Sequence, residues 1–435
     1  MSSIILKRSR ARPVLQRHPW IFSGAIQRVE DTPPDGSIVD VHDAGRNWLA
    51  RGYINRQSQI TVRLLTWHED EPINRGFWRR RLQRAITARH KLGLGPISRP
   101  GLGEVSARRL GESSRPSPTT AYRLVHAESD YLPGLIVDRY DQWLVVQFLT
   151  LGMDKHRGEI VELLADLLAP RGIYERSDVD VREQEGLEQR TGLLWGEDPP
   201  PQAEILENHR RFLVNVREGQ KTGFYLDQRE NREQLSAFCS GAEVLDAFAY
   251  TGAFAVYAAT GRASSITLVD SSAPSLEAAR QNLALNPMRS TRTPDSATAE
   301  EEHHSRLSSP HLECVEGDVF SVLRGFRAEN QLFDVIILDP PKLASTRRQV
   351  ERASRAYKDV NLLAFQLLRP GGVLFTFSCS GRVSADLFQK IVFGAVADAG
   401  RQAQIIGRMA QGPDHPVALT FPEGSYLKGL ICRVW

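Results

Sequence analysis

Cysteine is scarce in this chain of 435 residues: Cys239, Cys314, Cys379 and Cys432 are the full set. They stand far apart and form no Cys-x-x-Cys pair, which argues against a disulfide framework and against a cysteine zinc site. Each reads first as a small buried hydrophobe. No apolar run is long enough to span a membrane. No export signal is expected either, because Ile4-Ile5-Leu6 come before Lys7, Arg8, Arg10 and Arg12, whereas a signal peptide places its charges first. The expectation is a cytoplasmic protein with no membrane partner. A large charge excess is also lacking. The net charge is +3, so charge alone does not point to nucleic acid, and its distribution matters more. No metal site is expected. Glu300-Glu301-Glu302-His303-His304 could bind a cation, but its Pro- and Ser-rich setting reads as a disordered loop.

What is present divides into three parts. Length sets a prior of about three domains. Residues 1–73 read as short strands with turns: Gly36–Val41 and Gln59–Leu64 alternate apolar and polar, and Pro33-Pro34-Asp35-Gly36 is a turn signal. This is the pattern of a small β-barrel. Its basic arm carries Arg8 and Arg10, beside His18-Pro19-Trp20-Ile21-Phe22. Aromatics among cations suit stacking on bases and contact with phosphates, which makes Trp20 a candidate, but the first reading of Trp20 and Phe22 is that they fill the barrel core. Residues 74–198 open with a helix over Phe77–Leu92. Arg79, Arg80, Arg81, Arg84, Arg89 and Lys91 give it a basic face, either solvated or facing phosphate. A Gly-, Pro-, Ser- and Arg-rich stretch, 93–120, reads as a mobile insertion. A hairpin, a helix over Lys155–Leu168 and a strand at Ile173–Arg176 complete a small α+β module. Pro199-Pro200-Pro201 is a linker.

Residues 199–435 alternate strands and helices, the pattern of a doubly wound parallel sheet, with a second insertion at 287–310. The stretch Val244–Phe254 organises them. An apolar run ends at Asp246, a turn through Tyr250 follows, and Gly252 opens an Ala-rich helix. Glycine admits close approach of a ligand to the backbone, and the helix start offers free N–H groups. The next strand ends at Asp270, placed for vicinal ribose hydroxyls. Asp318 follows the third strand and is placed to accept from an adenine amino group. Asp339 follows the fourth. Any one of these acids reads equally well as a helix cap. Four in order, with Cys379 at the end of the fifth strand, mark the carboxyl edge where such sheets bind ligands. The first loop lacks Gly-x-Gly-x-x-Gly, which disfavours a nicotinamide dinucleotide.

Together these signals resemble a class I S-adenosylmethionine-dependent methyltransferase. Gly219–Arg229, Leu338-Asp339-Pro340-Pro341-Lys342, Ser378-Cys379-Ser380, Asp414-His415-Pro416 and His18–Phe22 resemble more narrowly the bacterial 23S rRNA cytosine-5 methyltransferases with an N-terminal PUA domain. The resemblance covers nearly the whole chain apart from the two insertions. It implies a PUA-like RNA-binding barrel, a small α+β domain and a Rossmann-like catalytic domain. S-adenosylmethionine is the implied cofactor, held by Asp246, Tyr250, Gly252, Asp270 and Asp318, with Lys221, Thr222 and Tyr225 arching over it. The implied partner is 23S rRNA or a large-subunit assembly intermediate; a homodimer is a further expectation.

In this reading Cys379 is the nucleophile that adds to C6, and Asp339 holds the base and donates at N3. Pro340 and Pro341 stiffen the loop, and Lys342 meets phosphate or solvent. Many cytosine-5 RNA enzymes carry a second cysteine in the loop after the fourth strand; this loop has none, so product release must work differently. Two alternatives stay open: a guanine N-methyltransferase in which Cys379 is dispensable, and a non-catalytic RNA-binding assembly factor.

Overall fold

The computed structural model describes residues 2–94, 119–287, 310–344 and 346–435. Most of the two expected insertions, and all of Glu300–His304, lie outside them. The described chain falls into two compact units. The first comprises Met1–His209, Val214–Asp227 and Pro413–Gly424; the second comprises Arg210–Leu213, Gln228–Gly412 and Ser425–Trp435.

The first unit holds two sheets. Strands β1 (Ser3–Leu6), β2 (Trp20–Ile21), β3 (Ile26–Val29), β4 (Ile38–His42), β5 (Trp48–Ile54) and β6 (Val62–Thr66) form a six-stranded sheet in the order β2-β6-β5-β4-β1-β3. Alternation along β4 follows the pleat, with Val39 and Val41 buried between half-exposed neighbours. Helix α1 (Arg75–Lys91) begins where the Asn74 side chain accepts from Phe77 N at 3.1 Å, a cap contributing about 1 kcal/mol. Its buried stripe is Phe77, Trp78, Leu82, Ala85, Ile86 and also Arg89. The second sheet uses β7 (Ala121–His126), β8 (Leu135–Tyr140), β9 (Trp143–Phe148), β10 (Gly172–Ser177) and β11 (Arg190–Gly196), in the order β11-β10-β9-β8-β7. Helix α2 (Arg157–Leu168) buries Ile160, Val161, Leu163 and Leu164 in the same core.

One expectation fails here. Arg89 does not belong to a phosphate-facing surface. It is 1% exposed and its guanidinium meets both Asp130 carboxylate oxygens at 2.7 Å. The reason is helical phase: position 89 lies on the stripe of 78, 82, 85 and 86.

The second unit starts with α3 (Arg229–Ser236) and then alternates: β12 (Glu243–Ala247), α4 (Ala253–Thr260), β13 (Ser265–Asp270), α5 (Ala273–Ala284), β14 (His311–Glu316), α6 (Val319–Ala328), β15 (Phe333–Leu338), α7 (Val350–Leu367), β16 (Leu368–Ser378), α8 (Ala385–Asp398), β17 (Ala403–Ala410) and β18 (Lys428–Val434). The seven strands run in the order β14-β13-β12-β15-β16-β18-β17. β12 to β16 pair in parallel, while β18 is antiparallel to both β16 and β17. Helices on both faces explain the near-continuous apolar runs of β12, β15 and β16. The order reverses between β12 and β15, so a crevice opens beyond their carboxyl ends. Among the described residues no helix is long and apolar enough to cross a membrane.

Candidate active site

The turn from β12 into α4 is held in an unusual conformation. Phe248, Tyr250 and Gly252 all have positive φ, at 64°, 48° and 71°. For the two aromatics this costs on the order of 1 kcal/mol each or more. Asp270 over-determines the turn from the next strand: its carboxylate accepts from Tyr250 N at 2.8 Å and from Ser272 N at 2.9 Å. Gly252 has a second constraint. A Cβ there would lie 2.6 Å from Ala279 Cβ on α5, so only glycine lets the two helices approach.

Asp246 lies beneath this turn, 1% exposed, and its Oδ2 has no hydrogen-bond partner. Burial, reinforced by the negative charges of Asp339 and Asp270, pushes its carboxyl up to about 8, against the pull of the Ala255 N–H and Arg232. It therefore keeps its proton at neutral pH. The Thr251 hydroxyl is likewise without a partner. Orphaned polar atoms beside an over-determined turn fit a polar ligand that completes their hydrogen bonds. Asp318 does what a single strand-end acid commonly does: its Oδ2 accepts from Ser321 N at 3.0 Å and caps α6.

Asp339 follows β15. Gln228 Nε2 donates to its Oδ2 at 2.9 Å, Asn231 Nδ2 donates to Gln228 Oε1 at 2.6 Å, and the same Asn231 nitrogen reaches Ala410 O at 3.0 Å. This chain fixes the plane of the carboxyl. Pro340 is buried, while Pro341 and Lys342 are exposed. Gln228, within the Gly219–Arg229 motif, bridges the Asp339 carboxyl and the Asn231 amide, a place that no sequence pattern signals.

Cys379 follows β16, the parallel neighbour of β15, with Leu338 opposite Thr376. Asp339 and Cys379 therefore leave adjacent strand ends on the same edge of the sheet. Cys379 is half-buried. Burial pushes the thiols of Cys239 and Cys432 up to about 12, and that of the half-buried Cys314 also upward. The flanking serines are tied down: Ser378 Oγ donates to Tyr357 OH at 3.0 Å, Ser380 Oγ lies 3.1 Å from the same hydroxyl, and Ala344 N donates to Ser380 Oγ at 3.1 Å.

The other expected site residues belong to the first unit. Lys221 Nζ donates to Asp227 Oδ2 at 2.7 Å and stands 4.3 Å from the centre of the Tyr225 ring. Tyr225 OH donates to Gln220. Thr222 is buried, and its hydroxyl donates to Asp138 Oδ2 at 2.6 Å. Arg8 and Arg10 are exposed. Trp20 is half-buried, its indole N–H donating to Glu128 Oε1 at 2.8 Å and its ring edge-on to Phe421. Phe22, 49% exposed, is the open aromatic of that segment.

A reversed parallel sheet with a glycine-opened first helix and acids along its carboxyl edge defines a class I methyltransferase fold. Residues 189–418 match the family model of S-adenosylmethionine-dependent methyltransferases, and residues 4–67 match that of a PUA-like domain. The chain is 46% identical over 432 residues to the ribosomal RNA large subunit methyltransferase I of Shewanella amazonensis, covering 99% of each chain. It is 44% identical over 430 residues to the protein of that name from Aeromonas salmonicida, covering 99% of this chain and 98% of the relative. Two solved structures share the fold over 100% of both chains: a methyltransferase complexed with SAH (TM-score 0.79, 21% identity) and a SAM-dependent methyltransferase from Streptococcus mutans (TM-score 0.77, 20% identity). This chain belongs to the ribosomal RNA large subunit methyltransferase I family of S-adenosylmethionine-dependent methyltransferases. Its cofactor is S-adenosylmethionine.

Proposed function

We propose that this chain methylates C5 of a cytosine in 23S rRNA, in the cytoplasm, through a covalent bond between Cys379 and C6 of the base. The observation that carries this reading is the place of Cys379. It is the half-buried cysteine at the carboxyl edge of the sheet, one strand from Asp339. The names of the relatives support ribosomal RNA as the substrate.

C5 of cytosine is a weak nucleophile while its electrons belong to the ring. The Cys379 thiolate adds to C6, the S–C6 bond forms, and the C5=C6 pair becomes enamine-like. Asp339, its plane fixed by Gln228, acts once it has taken up a proton, and donates a hydrogen bond or that proton at N3 as negative charge develops there. Bound S-adenosylmethionine supplies an electrophilic methyl group on a sulfonium. The Ala249–Gly252 turn, Asp270 and Asp318 hold the cofactor in this reading, and Asp246 beneath them stays uncharged. Lys221, Thr222 and Tyr225 arch over it. Loss of the C5 proton then lets the sulfur leave and restores the ring.

The target nucleotide must leave its stack, which costs a few kcal/mol in a duplex and less in a loop. Arg8, Arg10 and the PUA-like sheet offset this through phosphate contacts, and Trp20 and Lys342 belong to the same RNA surface. Binding should therefore weaken steeply with salt.

The test is methyl transfer from labelled S-adenosylmethionine to unmodified 23S rRNA by wild type and Cys379→Ala, followed by nucleoside analysis. The expected product is 5-methylcytidine with wild type alone. Methylated guanosine from both proteins would replace this reading with the guanine N-methyltransferase.

A further inference from the structure

The turn that carries Cys379 is held from two sides. Tyr357, from α7, grips Ser378 and Ser380. Lys428 is on the other side. It opens β18, which pairs antiparallel with β16 and sets Lys428 opposite Ser378. From there Lys428 Nζ donates to Ser380 O and to Val383 O, each at 2.7 Å. Both carbonyls belong to the segment just after Cys379. Lys428 is half-buried, and an ammonium partly withdrawn from water is costly unless negative charge or dipoles meet it. Two carbonyl dipoles meet it, and it interacts electrostatically with Cys379.

We propose that Lys428 is a positioning residue for the reaction: it fixes the Ser378–Ser380 turn and provides the cation that sustains the Cys379 thiolate. This rests on the reading of Cys379 as the nucleophile. A nearby ammonium favours the thiolate over the thiol. When sulfur adds to C6 its charge passes into the base; when the C5–C6 double bond re-forms, sulfur takes the electron pair back opposite the same cation. Addition and release both use Lys428, and neither consumes it.

The electrostatics agree with this pairing. Burial pushes the Lys428 ammonium down to about 8, and Cys379 pulls it back up. Tyr357 also feels Cys379, which with burial raises its hydroxyl. Lys428 is therefore still charged at neutral pH, while its proton is more loosely held than that of a surface lysine.

The experiment reads the thiol directly. Iodoacetamide alkylation of the Cys379 peptide is followed by mass spectrometry against pH, in wild type, Lys428→Met and Lys428→Arg, with S-adenosylhomocysteine binding as the check on folding. Lys428→Met should move the midpoint of the alkylation profile to higher pH. At neutral pH the rate should fall about tenfold for each unit of that shift. Lys428→Arg keeps a cation and should stay near the wild-type midpoint. A merely structural lysine would leave the profile of a folded Lys428→Met where wild type has it, and that result overturns the proposal. If Lys428→Met does not fold, Lys428→Arg decides alone: a midpoint near that of wild type supports the pairing, and a midpoint at the value of an ordinary thiol overturns it. Cys379→Ala separates the two claims. Should it still methylate while Lys428→Met shifts the thiol, the nucleophile reading has failed and the pairing stands.

Discussion

In the first unit, buried charges come in opposed pairs. Arg89 holds Asp130, Arg123 holds Asp138 at 2.7 Å, and Arg63 holds Glu185 at 2.6 Å. In the second unit, acids gather along the edge of the sheet: Asp246 feels Asp339 and Asp270, with Arg232 pulling the other way. The first arrangement settles the charges it buries. The second leaves a proton on a buried acid. Paired burial is what a scaffold needs, whereas crowded acids on one sheet edge mark a place built to receive something.

The comparison breaks most readily at Arg89. Arg89→Ala leaves Asp130 without its bidentate partner and removes the bond to Asp414 O at 2.9 Å. It should cost about 3–5 kcal/mol, read from the urea midpoint. A loss near zero would mean that the pair is ornamental.

The pH dependence of the two units should differ in sign. The Asp246 carboxyl is raised from 3.8 to about 8, so the folded state holds a proton that the unfolded chain has released. Its contribution is fully present below the ordinary carboxyl value and is lost as pH rises toward about 8. Asp246→Asn should flatten that decline. In the first unit, burial and Arg123 push His415 below 6.5. The unfolded chain then takes up a proton first, and stability is lost as pH falls below that value. Denaturant midpoints against pH for Asp246→Asn and His415→Gln should separate the two slopes; equal slopes would erase the contrast.

Smaller effects sharpen it. Gly252→Ala forces a side chain against Ala279 and strains a left-handed residue. It should cost about 1–3 kcal/mol and weaken S-adenosylhomocysteine binding in calorimetry. At the surface, Arg355 pairs with Glu351 one turn away on α7. Arg355→Ala should change stability by less than about 0.5 kcal/mol, a baseline against which the buried pairs are judged.

Much of the edge was legible before any coordinates, because acids at successive strand ends are a one-dimensional pattern. Asp246, Asp270, Asp339 and Cys379 all emerge at one side of the sheet for that reason. Their individual states were not legible. Asp246 and Asp318 read alike in sequence, yet one is a buried neutral acid and the other a helix cap, since burial depends on distant strands. β17 escaped notice because Ala403–Ala410 is mostly exposed and does not alternate. Arg89 could have been found: its phase on α1 places it among Trp78, Leu82 and Ala85, and a cation on an apolar stripe calls for a partner. Lys428 could not, because its role depends on an antiparallel pairing about fifty positions from Ser378.

The most direct measurement uses 23S rRNA transcribed with 5-fluorocytidine in place of cytidine, incubated with protein and S-adenosylmethionine. Fluorine at C5 cannot leave as a proton does, so an enzyme that bonds to C6 becomes trapped. The account predicts a protein–RNA adduct that survives denaturant and maps by mass spectrometry to the peptide containing Cys379. No adduct, with methyl transfer to the unsubstituted transcript intact, would contradict it.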